Sequence, residues 1–114
     1  MSVSIKQLVG NDQIAGTTDA TVDTLYTASN LTAQISAATV YNAHGSAVTI
    51  SFYILPNGVA ATAVDPVAVQ SIATVESAII TDLIGHVIPK DGTLVAFAGT
   101  TNVLRASVSG LEIT

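Results

Sequence analysis

Apolar and polar residues alternate most cleanly between Ala47 and Leu55. Val48, Ile50, Phe52 and Ile54 hold one parity, and Thr49, Ser51, Tyr53 and Leu55 hold the other. A period of two places alternate side chains on opposite faces of a β-strand. That parity assigns Phe52 to the core. Tyr53 shares its face with Thr49 and Ser51, so it is the aromatic expected at a surface or subunit interface. Ala33–Asn42 alternates as well, with Ile35, Ala37, Thr39 and Tyr41 on one parity and Ala38 and Val40 on the other. The Asn-Ala-His-Gly-Ser-Ala stretch between the two segments has hairpin length, so a hairpin is expected there.

Turn chemistry divides the rest of the chain. Pro56-Asn57-Gly58, Pro89-Lys90-Asp91-Gly92 and Gly99-Thr100-Thr101-Asn102 mark turns, and Ser29-Asn30 marks another. Further strands are expected at 67–72, 75–80, 94–98 and 103–113, with ordered chain beginning at Val22, Leu25 and Tyr26. Ile79, Ile80, Leu83, Ile84, Val87 and Ile88 fit a helical stripe. Their β-branched character and Gly85 favour a strand, a tight bend and a short extended piece instead. Residues 3–9 read as a short strand or an ordered arm, and residues 10–20 as a loop. The organisation expected is an N-terminal arm or short strand plus loop over 1–20, followed by one domain over 21–114. That domain reads as all-β, an antiparallel β-sandwich of jelly-roll or Ig-like type with about seven or eight strands.

Composition bears on the role of such a sandwich. The chain has 114 residues, one domain's worth, and 49 % of them are hydrophobic, mainly Ala, Val and Ile. Charged residues make up 10 %, against roughly 25 % in ordinary soluble domains. A surface so poor in charge suits a protein that lives in an assembly. The net charge is −5, and Lys6, Lys90 and Arg105 are the only Lys and Arg residues. Nucleic-acid binding, which needs several cations against phosphates, is not expected. No apolar run approaches the roughly 18 residues of a membrane span. The opening MSVSIKQLVG lacks the charged and long apolar regions of a secretory signal, so an extracellular role would need another exit, such as lysis.

Candidate chemistry is thin. The absence of cysteine removes disulfides, thiol nucleophiles and thiolate metal sites. A metal site needs three or four converging ligands. His44 has Asn42 and Ser46 beside it, and His86 has Asp82 four residues back on a segment not read as helix. Both histidines therefore read as turn residues. No Gly-x-Ser-x-Gly elbow or phosphate-binding glycine loop occurs. Glu76 and Glu112, the only glutamates, fall in expected strands rather than as a cleft pair. Asp12, Asp19 and Asp23 cluster in the expected loop without the spacing of an EF-hand, which favours a solvated acidic loop over a calcium site. No catalytic, cofactor-binding or metal residue is assigned, no cofactor is expected, and the chain is not expected to be an enzyme. The candidate interface residues are Tyr53, Ile5 and Leu8.

The order of several weak motifs resembles a group of small bacteriophage virion accessory proteins. Leu25-Tyr26-Thr27-Ala28 is similar to their entry motif. Ala38 to Gly45 is similar to a strand ending in an Asn- and Gly-containing turn, and Val48 to Gly58 to a strand running into Pro-Asn-Gly. Val87 to Leu94 resembles a turn before a strand, with Asp91-Gly92 in place of the family's Gly-Asp order. Ser107-Val108-Ser109-Gly110-Leu111-Glu112-Ile113 resembles the closing strand. The resemblance covers about residues 24–114. It implies a structural β-sandwich of the virion, assembled in the bacterial host cytoplasm and acting by adhesion. Capsid decoration or cement is the leading role; the alternative is a tail, collar or baseplate component, or a carbohydrate- or host-surface-binding module. The partners implied are copies of itself, as a trimer or else a pentamer or hexamer, and other virion proteins such as the major capsid or tail protein.

Overall fold

The computed structural model describes residues 2–114. Nine strands follow in order: β1 (Val3–Gln13), β2 (Asp23–Thr27), β3 (Thr32–Asn42), β4 (Val48–Leu55), β5 (Ala68–Ile72), β6 (Ser77–Ile79), β7 (Val87–Ile88), β8 (Thr93–Ala98) and β9 (Leu104–Ile113). They form two sheets. One, the β3 sheet, runs β1-β9-β3-β6, with β7 also paired to β3; the other, the β4 sheet, runs β2-β8-β4-β5. All pairings are antiparallel, and four of them nest: β4 with β5, β3 with β6, β2 with β8 and β1 with β9. A long hairpin rolled over itself gives this order. The fold is an all-β sandwich with jelly-roll connectivity.

The expected hairpin between β3 and β4 does not form. β3 pairs with β6, β7 and β9, while β4 pairs with β5 and β8. The loop 43–47 instead arches from one sheet to the other. A short polar loop with glycine serves either geometry, and alternation does not reveal which strand edge will pair. The alternation of β3 is also interrupted. A bulge between Ile35 and Ala37 puts Ser36 out of step. Ala33 and Ile35 therefore face inward before the bulge, and Ala38, Val40 and Asn42 after it. Gly110 lies opposite Ile35, where a Cβ would stand 2.1 Å from the Gln34 carbonyl oxygen, so only glycine fits there.

The N-terminal segment is not an arm lying apart from the core. β1 continues to Gln13, beyond the expected loop start, and pairs with β9 through two irregularities. Asn11 takes a left-handed backbone within the second of them, with φ 54°. Leu8, Val9 and Ile14 are buried in the main core. The 79–88 segment follows its expectation: β6 ends at Ile79, a one-turn helix spans Thr81–Leu83, and β7 follows. Phe52 sits fully buried at the centre of the sandwich with Ile35, Ile50, Ile72 and Leu94.

Candidate functional site

The two sheets differ in what covers their outer faces. On the β4 sheet, Ser51, Tyr53, Leu55 and Val95 point away from the main core, yet they are buried. The loop after β4 folds back over them and inserts Ala61. Val22 and Phe97 complete this second apolar cluster. Tyr53 is only 5 % exposed, with its ring stacked on Phe97 at 6.1 Å. Burial, then the charges of Asp19 and Asp65, push its phenol above the ordinary tyrosine value. The expectation of Tyr53 at an open surface is therefore corrected. Its parity was read properly, but a loop of small residues covers that face. Leu8 is corrected too: it belongs to the main core, pressed beneath Gly110 at the β1 bulge. Ile5 stands out at 89 % exposure.

The outer face of the β3 sheet carries no such cover. Its residues follow from the register. Val3 pairs with Ile113, Ile5 with Leu111 and Gln7 with Ser109. Across β3, Leu111 meets Gln34, Ser109 meets Ala37, Ser107 meets Thr39 and Arg105 meets Tyr41. Ile79 and Val87 complete the rows on the far side of β3. Val3, Ile5, Tyr41, Ile79 and Val87 are all exposed. Small side chains in the middle leave an open depression of about 140 Å³, lined by Gln7, Ala37, Thr39, Ser107 and Ser109. Lys6, Asp12 and Glu112 pair with Gly110, Ala106 and Ala33, which belong to the inward parity. Arg105 is thus the one charged side chain that these strands turn outward among the described residues.

The remaining polar groups hold the fold. Tyr26 on β2 donates its hydroxyl to Glu112 Oε2 on β9 at 2.5 Å, and Lys6 on β1 stands 3.3 Å from Glu112 Oε1. This seals the two sheets along one side. The Tyr26 bond, with help from Lys6, holds the Glu112 carboxyl below the usual carboxylate range against the opposing effect of burial. Burial and that same carboxylate push the Tyr26 phenol far up. The expected acidic loop is divided, with Asp12 in β1 and Asp23 opening β2, where Asp23 accepts from the backbone N–H of Ala15 at 2.6 Å and of Gly16 at 3.2 Å. No group of three or more acidic or histidine side chains that could hold a metal occurs among the described residues.

Around His44, the residue with a structural role is Asn42, fully buried at the end of β3. Its amide donates to the carbonyls of Ser46 (3.0 Å) and Ile72 (2.9 Å), and its carbonyl accepts from the His44 N–H (2.8 Å). Since Ile72 ends β5, one side chain ties the arch to the opposite sheet. His44 contributes backbone groups, and its carbonyl accepts from the Thr74 hydroxyl at 2.5 Å. His86 lies exposed at the bend before β7, its carbonyl taken by the Ile35 N–H at 2.9 Å.

Comparison with family models, with curated proteins and with solved structures returns no match.

Proposed function

We propose that this chain is a non-enzymatic structural subunit of a phage particle, a capsid decoration or cement protein that acts by adhesion. The observation that carries the reading is the bare, almost uncharged outer face of the β3 sheet, on a chain whose other sheet is covered by its own loop over Tyr53, Leu55 and Val95. A broad face of small and apolar side chains adheres through many weak contacts and orients little chemistry. The ordered motifs between Leu25 and Ile113 that resemble virion accessory proteins supply the biological setting. A tail or collar position uses the same adhesive mechanism. An exposed Tyr53 would favour a carbohydrate-binding module, and the burial of that ring withdraws this support.

The test is composition of particles. Mass spectrometry of purified virions should find the chain in a fixed ratio to the major capsid protein, and added protein should bind particles that lack it. Absence from particles, with no binding to heads or tails, would sink the reading.

A further inference from the structure

We infer that the outer face of the β3 sheet docks a second copy of this chain, with Tyr41 of each copy seated in the depression of the other. The inference rests on reading this face as adhesive and names its occupant.

Area is the first argument. With a strand spacing of about 4.8 Å and a rise of about 3.3 Å per residue, the long lanes of β1, β9 and β3 and the short lane of β6 and β7 present a footprint of roughly 600 Å². A stable pair of proteins buries about 800 Å² on each partner, with specific complexes extending somewhat below that value. The face therefore reaches the lower end of the range for a specific interface without help from loops.

Charge is the second. Two copies of a chain with net charge −5 repel unless their acids stay clear of the contact. The outward positions of β1, β9, β3, β6 and β7 carry no acid. Their one cation, Arg105, lies at the end of the sheet with its guanidinium donating to the Asn11 carbonyl at 3.2 Å. A strongly cationic or anionic partner finds little on this face to pair with, whereas a second uncharged face does.

Shape is the third. An interface across a twofold axis must be self-complementary, so that where one residue meets another, the reciprocal contact recurs. A projecting group must therefore have a matching recess on the same surface. Tyr41 projects one step along β3 from Thr39, which lines the recess with Ala37, Ser107, Ser109 and Gln7. A recess of about 140 Å³ compares with cavities of roughly 150 Å³ known to hold a benzene ring. Hydroxyls and amides at its wall can serve the phenol oxygen. Ile5 and Leu111 on one side and Ile79 on the other then close against the partner as an apolar border.

Light scattering on the purified full chain tests this. The wild type should run at twice the chain mass. Tyr41→Ala, Ser107→Arg and Ile5→Asp should each give single chains, with circular dichroism unchanged. Ser71→Arg, on the opposite outer face, should remain paired. Should Ser107→Arg disturb folding, Ile5→Asp still decides, because that side chain touches little of the core. A wild-type monomer, a mass of three, five or six chains, or a pair that survives both Tyr41→Ala and Ile5→Asp would overturn the inference. A monomer that still binds particles would overturn the pairing and leave the adhesive role standing. A pair that is absent from particles would support the pairing and remove the phage role.

Discussion

Asn42 shows how much of this fold hangs on single polar side chains. Its position before His44 reads as ordinary turn sequence, and burial is invisible without the opposite sheet. Replacing it with Ala leaves the buried Ile72 carbonyl without its partner and removes two half-buried bonds to the arch. The expected loss is about 2 kcal/mol in chemical denaturation, mainly from the one unmet buried carbonyl. Val75 presents the reverse case. It adopts φ 52°, a left-handed conformation that a β-branched residue disfavours. Four other non-glycine residues do the same, and all are Asn or Asp: Asn11, Asn30, Asp91 and Asn102. Val75 is 63 % exposed, so its side chain adds little to the core. Val75→Asn should therefore stabilise the protein by about 1 kcal/mol, read as a raised melting temperature. No stability gain would show that the valine makes a compensating contact. The sequence hinted at neither feature, because left-handed conformations are legible only where Gly, Asn or Asp occupies the position.

Elements were legible where their signal is local. The alternation of β4, the turns at Pro56 and Pro89, and the strand–bend–strand over 79–88 all follow from periodicity and turn residues. What escaped is pairing and cover. The arch at 43–47 resembles a hairpin loop, and the bulge at Ser36 shifts the inward parity of β3 mid-strand. Tyr53 lies on the outer face of its sheet as its parity predicts, but the next loop folds back over it with Ala61, and Val22 and Phe97 from distant parts of the chain complete the cover. The seal between the sheets is likewise non-local, since Tyr26 and Glu112 meet across most of the sequence. Its pH behaviour can be stated. Glu112 has a folded value below its unfolded one, so its contribution is present above the unfolded carboxylate value, about 4.3, and fades as pH falls through the folded value. Tyr26 has a folded value above its unfolded one. Its contribution is present below the unfolded phenol value, about 10, and fades as pH rises beyond it. Melting temperature against pH should therefore fall on both flanks, and Tyr26→Phe should weaken both dependences while costing about 1.5 kcal/mol near neutrality. Unchanged flanks in that variant would mean that other groups govern the pH response.

At the scale of the molecule, the jelly roll covers part of one outer face, over Tyr53, Leu55 and Val95, with its own loop and leaves the other bare. Low charge pointed to assembly from the sequence alone, but the face that would assemble was not legible. Its rows are built from five strands far apart in the chain, and its recess exists only because Ala37, Ser107 and Ser109 fall side by side. Ile5 belongs to that face, Leu8 does not, and Tyr41 takes the place first given to Tyr53. The central claim is that this face is a docking surface, and the absence of cysteine makes it directly measurable. Ser109→Cys places a unique thiol in the recess, and Ser71→Cys places one on the opposite outer face. Maleimide labelling of the two single-thiol proteins should be slower at position 109 by roughly tenfold, the ratio expected when most chains are paired, and adding Tyr41→Ala should restore it. Equal rates at the two positions, unaffected by Tyr41→Ala, would contradict the account.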